Sequence, residues 1–130
     1  MPTRTKSGFA LLIRTDSLFR VLDWPASDAG HLQVIRAACD CDHFDAIRIT
    51  DNLTMWLDDE GLLNGAPYNP GATLLYAQHH PLHQPYHGHA LFTGGADAEG
   101  NTLGLTDHEL TDLVEQHLAP TVIPRQRTGN

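Results

Sequence analysis

The segment Ala46–Asp58, AIRITDNLTMWLD, decides the fold because it contains two strand-forming runs joined by a two-residue turn. Asp51-Asn52 tolerates the positive φ angles that a tight hairpin turn requires. Ile47 and Ile49 recur at every second position before the turn, so they face one side of the sheet. Asp59-Glu60-Gly61 ends the second run. This stretch therefore predicts a β-hairpin.

A second hairpin is predicted toward the N-terminus. Phe9–Arg14 and Leu18–Trp24 are two β-compatible runs on either side of a short polar link, and a proline follows the second run. Ser27 then caps a helix that extends to about Cys39. The apolar residues at helical spacing that form its predicted buried face are Leu32, Ile35, Ala38 and Cys39.

The next helix is predicted at Asn69-Pro70, because asparagine caps helices and proline suits the first helical position. This helix must end before Pro81. Its apolar residues are Ala72, Leu75 and Tyr76. His89–Thr93 is predicted to be a fifth strand, closed by a pair of glycines.

The last helix is predicted from a capping box, in which Thr106 and Glu109 stand at the required three-residue spacing. Pro120 is expected to end this helix. The residues at helical spacing that form its predicted apolar face are Leu110, Leu113, Val114 and Leu118.

The element order ββαββ(α)βα predicts an α+β fold. We expect a single antiparallel or mixed sheet of about five strands, with two main helices packed on one face. A chain of 130 residues is long enough for one core. The predicted organisation is a flexible arm over residues 1–8, one globular domain over residues 9–119 and a flexible tail over residues 120–130.

The distribution of charge restricts the partners. The formal net charge is −8, and all sixteen carboxylates lie between Asp16 and Glu115. From Ile49 to Pro124 there is no lysine or arginine, whereas ten acidic residues and seven histidines fall there. Such a surface repels phosphate backbones, so we expect no direct nucleic-acid binding. The expected partners are basic protein surfaces, metal ions or neutral ligands.

The cellular compartment is predicted from apolar runs and cysteines. No run approaches the roughly 18 apolar residues of a membrane span, and the N-terminus lacks a signal-peptide pattern. Cys39 and Cys41 are separated by one residue and are expected to stay reduced. We therefore expect a cytoplasmic protein without a membrane partner.

Five histidines fall within eleven residues: His79, His80, His83, His87 and His89. Imidazole is a good ligand for zinc or nickel, so this loop is a candidate site for a divalent metal. Pro81 and Pro85 prevent a single helical face, and a solvated loop is the simpler explanation, so no cofactor is expected. A third interpretation is a charge switch, because protonation near pH ~6.5 would offset the nearby carboxylates.

Cys39, Cys41 and His43 form a second candidate metal set, although structural zinc sites usually space cysteines more widely. Asp58-Asp59-Glu60 could bind Mg²⁺ or act in acid–base chemistry, but a solvated turn explains these residues equally well.

The start of the second predicted helix is a candidate small-ligand site, since helix amides can hold an anion. Its candidate residues are Tyr68, Asn69, Gly71 and Thr73. A plain helix cap is the alternative. The sequence contains no recognisable nucleophile–histidine–acid signature and no phosphate loop, so it gives no support for an enzyme.

A run of short motifs resembles an uncharacterised family, domain of unknown function 3846, which is carried by phages, plasmids and actinobacterial mobile elements. The motifs are Trp56–Gly61 (WLDDEG), Gly65 to Thr73 with Asn69-Pro70, Gly88 to Gly94, then Gly100 and Leu105, and the resemblance covers roughly Asp51 to Leu113. It implies an accessory protein of a mobile element, with no catalytic residue assigned. The stretch His79 to His87 lies outside the family pattern.

The predicted function is that of a non-enzymatic accessory protein of a mobile genetic element that acts by binding, for example as an acidic inhibitor of a host protein with a basic surface. The alternatives are a small-ligand protein that binds a nucleotide or an anion, and a metal-binding enzyme centred on the histidine loop. An exposed sheet edge would also allow a homodimer.

Overall fold

A short strand at the centre of the sheet connects two hairpins. The computed structural model describes residues 8–61, 63–81 and 84–128. The strands are β1 (Gly8–Ile13), β2 (Phe19–Trp24), β3 (Phe44–Thr50), β4 (Leu53–Asp58) and β5 (Ala90–Thr93). The helices are α1 (Asp28–Cys39), α2 (Pro70–Ala77) and α3 (Asp107–Thr128). The strand order is β2-β1-β5-β4-β3, with every neighbouring pair antiparallel. The predicted α+β class, the five strands and the element order are confirmed.

The β3–β4 hairpin contains a bulge that the sequence did not reveal. Thr50 pairs with Leu53 across the turn, as predicted, but the register shifts between Arg48 and Thr50. Because of this shift, Asp45 lies opposite Leu57. A bulge adds one residue to one strand and moves every later pair by one position. Asp45 and Ile47 therefore share the face of the sheet that carries Leu57.

β5 lies between the two hairpins, and its four residues, ALFT, are all buried. A strand buried on both faces is typically a continuous apolar run. Leu91 contributes to the core on one face of the sheet, whereas Ala90 and Phe92 contribute to the core on the other. The strand pairs with β1 on one side and with β4 on the other.

The helices cover both faces of the sheet, which corrects the prediction that the main helices share one face. α1 packs with Leu12, Trp24 and Leu91, whereas α2 and α3 pack with Leu11 and Phe92 on the opposite face. The burial pattern of β1 explains why both faces are covered. Residues 10–13 are all buried, and successive side chains of a strand point to opposite faces of the sheet. Each face must therefore be covered by its own helical layer.

The buried face of α1 differs from the prediction by one residue. Ser27 caps the helix as expected and accepts a hydrogen bond from Gly30 N. Leu32, however, is 44% exposed, and His31 takes the buried position with its ring 4.2 Å from that of Trp24. Residues 31, 35 and 38 follow the helical repeat of 3.6 residues, so Leu32 is rotated away by about 100°.

The start of α3 is as predicted. Thr106 Oγ1 accepts from Glu109 N at 3.1 Å, and Glu109 Oε1 accepts from Thr106 N at 3.0 Å. On the predicted face, Leu113 is buried but Leu118 is 47% exposed, because the buried position one turn after Leu113 is occupied by His117. His117 Nε2 donates to the carbonyl of Ser17 at 2.9 Å.

The helix end predicted at Pro120 is wrong, since α3 continues to Thr128. Proline fixes φ near −65°, which is a helical value, so the backbone can continue at the cost of one hydrogen bond per proline. Of the predicted flexible ends, residues 1–7 and 129–130 lie outside the described residues. Among the residues that are described, no helix combines the length and the apolar character needed to cross a membrane.

Candidate functional site

A cleft of about 410 Å³ opens beside β3 on the face of the sheet that carries α2 and α3. Its volume lies within the range of about 300–1,000 Å³ that is typical of ligand pockets. The acidic residues that line it are Asp45, Asp58, Asp59 and Glu60, and the apolar ones include Ile47, Leu57, Pro85 and Tyr86. No lysine or arginine is among the described lining residues. We call it the acidic cleft.

One wall of the acidic cleft is the turn that follows β4. Asp58 holds this turn, because its carboxylate accepts from Glu60 N at 2.9 Å and from Asn64 Nδ2 at 3.3 Å. Asp59 N donates to the carbonyl of His43 at 3.3 Å, which ties the turn to the residue before β3. Within the described part of the chain, the carboxylates of Asp59 and Glu60 have no hydrogen-bond or ionic partner. Both are exposed and available to a ligand.

The opposite wall is the segment 84–87. Tyr86 N donates to Thr73 Oγ1 at 3.0 Å, and the carbonyl of Tyr86 accepts from Asn69 N at 2.8 Å. The ring of Tyr86 packs against that of Tyr76, with centroids 5.3 Å apart. Burial, followed by the neighbouring Tyr76, raises the pKa of Tyr86, so its phenol stays neutral at physiological pH. The start of α2 therefore fixes this wall.

The acidic cleft is suited to a side chain that carries a positive charge at the end of an apolar chain of methylene groups. Lysine and arginine side chains bury their methylene groups on apolar surface while the charged head stays at a polar rim. Here Ile47 and Leu57 offer the apolar surface, and the carboxylates of Asp59 and Glu60 offer the counter-charge. Two unit charges about 4 Å apart near a protein surface attract by about 4 kcal/mol before desolvation is counted.

The predicted histidine cluster is dispersed, because three of its members form hydrogen bonds with three different backbone segments. His80 Nε2 donates to the carbonyl of Ile49 at 2.6 Å, and His87 Nδ1 donates to that of Ala66 at 3.0 Å. His89 Nδ1 accepts from Thr15 N at 3.2 Å.

His79 lines a separate cavity of about 150 Å³ beside α3, and His83 lies outside the described residues. Over residues 8–61, 63–81 and 84–128, no three His, Cys, Asp or Glu side chains are grouped to hold a metal. A metal site in this loop stays a prediction.

The predicted small-ligand residues lie mostly inside the fold. Asn69 is fully buried and caps α2, with its Oδ1 accepting from Ala72 N at 3.0 Å. Thr73 is also buried, and its hydroxyl donates to the carbonyl of Asn69 at 2.8 Å. Gly71 packs so closely on His117 that an added Cβ would lie 2.7 Å from the ring. Tyr68 is 45% exposed. The helix-cap interpretation accounts for Asn69, and a ligand here stays a prediction.

The family model that matches the chain is described as Domain of unknown function (DUF3846), and it matches residues 6–118. The chain belongs to this family. The match extends beyond the roughly Asp51 to Leu113 of the sequence resemblance and includes β1, β2 and α1. The whole acidic cleft of this DUF3846 domain lies inside the matched range. Among curated proteins and solved structures, none matches the chain.

Sequence reasoning found only part of the acidic cleft of the DUF3846 domain. Asp58-Asp59-Glu60 was recognised as an acidic turn, but Asp45 and Tyr86 were not connected with it. Counting back from the hairpin turn without a bulge would pair Asp45 with Asp58, which already indicates clustered carboxylates at this end. No local pattern indicates that residues 84–87 reach the same place.

The two cysteines of the DUF3846 domain are free thiols at the end of α1. Cys39 is buried, and its Sγ donates to the carbonyl of Trp56 at 3.4 Å. Burial raises the pKa of the Cys39 thiol far above its ordinary value. The pKa of Cys41 is raised to about 11 by burial and then by the charges of Asp58 and Asp59. Within the described chain these thiols and His43 are not gathered into a metal site.

We expect Cys41 to react slowly with iodoacetamide in the native DUF3846 domain. Its pKa rises from 9.0 to about 11, so at pH 8 the reactive thiolate is about one hundred times scarcer than in an unfolded chain. The rate of alkylation, followed by mass spectrometry, should increase about tenfold per pH unit between pH 8 and pH 10. The protein unfolded in urea is the control. Equal native and unfolded rates would contradict the raised pKa.

Proposed function

We propose that this protein is a non-enzymatic binding protein whose acidic cleft takes a basic segment of a partner protein. The observation that carries the proposal is a cleft lined by four acidic residues and an apolar floor, whose described lining has no lysine or arginine. A basic side chain with an apolar stem satisfies both parts of this surface, whereas an anion is repelled by the carboxylates.

The charge of the rest of the molecule supports the same partner. The body from Asp16 to Glu115 holds all sixteen acidic residues of the chain, but only Arg20, Arg36 and Arg48 among its basic residues. A protein with this excess of negative charge attracts a basic partner over a distance comparable to the Debye length, about 8 Å at physiological salt. The association rate should therefore decrease with ionic strength.

The proposal includes a biological setting. We propose an accessory protein of a phage, plasmid or other mobile element that acts in the cytoplasm on a basic surface of a host protein, as an inhibitor. The resemblance to a family carried by mobile elements and the acidic surface support this setting. A DNA-binding host protein is a suitable target, because acidic side chains can occupy the sites that otherwise contact phosphate.

The test is binding of an arginine-rich peptide, measured by fluorescence anisotropy at low salt. In the double variant Asp59→Asn/Glu60→Gln we expect Kd to rise about tenfold, which corresponds to about 1.4 kcal/mol. The matched control is Glu99→Gln/Glu115→Gln, which removes the same charge at exposed positions that do not line the cleft.

In the control we expect Kd to change less than twofold. An equal loss of affinity in both double variants would mean that total charge, and not the acidic cleft, attracts the peptide. If the wild-type protein binds no basic peptide at low salt, the proposed function is wrong.

A further inference from the structure

β3 is an edge strand, and its outer side is exposed next to the acidic cleft. In the order β2-β1-β5-β4-β3 it has one strand neighbour in the described chain. Asp45, Ala46 and Arg48 are all exposed. An edge strand presents unpaired amide and carbonyl groups that can pair with another extended chain.

The direction of these backbone groups follows from the pairing with β4. Asp59 N donates to the carbonyl of His43, and hydrogen-bonded positions in an antiparallel pair recur at every second residue. His43, Asp45 and Ile47 therefore turn their peptide groups toward β4. Phe44, Ala46 and Arg48 turn theirs away from the sheet.

A hydrogen bond between Ala46 and the side chain of Asp45 is consistent with an Ala46 amide that points away from β4. Ala46 N donates to Asp45 Oδ1 at 2.9 Å instead of to β4. The carboxylate thus covers the outward amide of Ala46 while no partner is bound. When a partner strand pairs there, its carbonyl replaces the carboxylate, which is then free to bind a cation.

The two faces of this edge differ in charge. Asp45 and Ile47 lie on the face of the acidic cleft, whereas Phe44, Ala46 and Arg48 lie on the face that carries α1. Side chains of an added strand alternate between the same two faces. Basic residues therefore fit at every second position of the partner, on the cleft side, and uncharged residues fit beside Arg48.

We infer that the basic partner segment binds as an added antiparallel or parallel strand on β3, with alternate basic side chains in the acidic cleft. This inference rests on the proposed function and specifies its partner as an extended segment. The regular edge available to it extends from Phe44 to Arg48, because the bulge between Arg48 and Thr50 interrupts the strand.

A second copy of this chain fits the β3 edge poorly. Two-fold pairing of β3 with itself would place like faces side by side, so Asp45 and the acidic cleft of one copy would meet those of the other. Like charges placed opposite each other across strands are destabilising. A partner with alternate basic residues has the complementary charge.

The decisive variant is Ala46→Pro. Proline removes the outward amide and its ring obstructs the edge, whereas the groups of Asp45 and Ile47 that pair with β4 remain. We expect at least tenfold weaker binding of a peptide in which arginine alternates with threonine. The matched control is Ala46→Val, which keeps the amide and suits a strand, and should bind within about twofold of wild type. Circular dichroism of each variant checks that it is folded.

A second measurement needs no variant of the protein. The same alternating peptide with all its backbone amides N-methylated keeps its charges but loses its hydrogen-bond donors in either strand direction, and we expect it to bind at least tenfold more weakly. A peptide of the same composition with contiguous arginines should also bind more weakly. If Ala46→Pro and the methylated peptide both leave Kd unchanged while the cleft variant Asp59→Asn/Glu60→Gln weakens binding, strand addition is wrong and the proposed function stands.

Two other outcomes overturn the inference. If the wild-type protein binds neither peptide, both the inference and the proposed function fail. If Ala46→Pro abolishes self-association in analytical ultracentrifugation but leaves peptide binding unchanged, the β3 edge belongs to a second copy of the chain.

Discussion

Replacing Asn69 by alanine is expected to lower the free energy of unfolding by about 3–5 kcal/mol. The side chain is fully buried and makes three hydrogen bonds. Its Oδ1 caps α2 through Ala72 N, and its Nδ2 donates to the carbonyls of Ile13 at 2.9 Å and Gly88 at 2.8 Å. Alanine removes the cap, which is worth about 1 kcal/mol, and leaves two carbonyls without their donor, at a cost of about 1–2 kcal/mol each.

Two further variants separate these contributions in urea denaturation. Asn69→Asp keeps the capping oxygen but loses both donated hydrogen bonds, so it should remain strongly destabilised. Asn64→Ala removes an exposed asparagine with one long hydrogen bond of 3.3 Å to Asp58, and should change stability by less than about 0.5 kcal/mol. If Asn69→Ala and Asn64→Ala had similar effects, Asn69 would not be the link between α2, β1 and the segment before β5.

Replacing Gly95 by alanine is expected to lower the free energy of unfolding by about 3 kcal/mol, or to prevent folding. A Cβ at this position would overlap the carbonyl oxygen of Asp51. On the other side, the Gly95 carbonyl accepts from Leu103 N at 2.8 Å. Because backbone lies on both sides, neither neighbour can move aside as a flexible side chain would. The loss should be measured as a lower midpoint of thermal unfolding.

Gly61→Ala gives a graded comparison with Gly95→Ala. A Cβ at position 61 would lie 3.1 Å from the carbonyl of His87, which is tight but needs only a small shift. We therefore expect a smaller loss of stability than at position 95. The opposite ranking would show that the β3–β4 turn and the end of β5 are not in close contact.

The local parts of the fold could be predicted because their causes are local. The turn Asp51-Asn52, the cap Ser27 and the capping box of Thr106 and Glu109 each depend on residues within four positions of one another. The structure confirms all three. The helix end at Pro120 was mispredicted because proline only disfavours helix continuation, and the backbone continues to Thr128.

The candidate site was predictable only in part, because it joins segments that are distant in sequence. Asp58-Asp59-Glu60 is visible as a run of carboxylates, but Asp45 joins it through strand pairing and Tyr86 through the hydrogen bond to Thr73. The histidines also show that closeness in sequence does not predict a shared site. Their clustering in sequence suggested a shared ligand, whereas His80 and His87 each contact a different distant carbonyl.

The sequence by itself determined the α+β class, the order of the strands and helices, their approximate positions apart from the end of α3, and the excess of acidic residues. These follow from residue periodicity, capping and composition, which need no knowledge of distant neighbours. Only the tertiary structure decided that β5 lies in the middle of the sheet, that helices cover both faces, and that Asp45, Asp59 and Tyr86 line one cleft. The physical reason is that these features depend on contacts between remote segments, and such contacts form where the combined burial of apolar surface is most favourable.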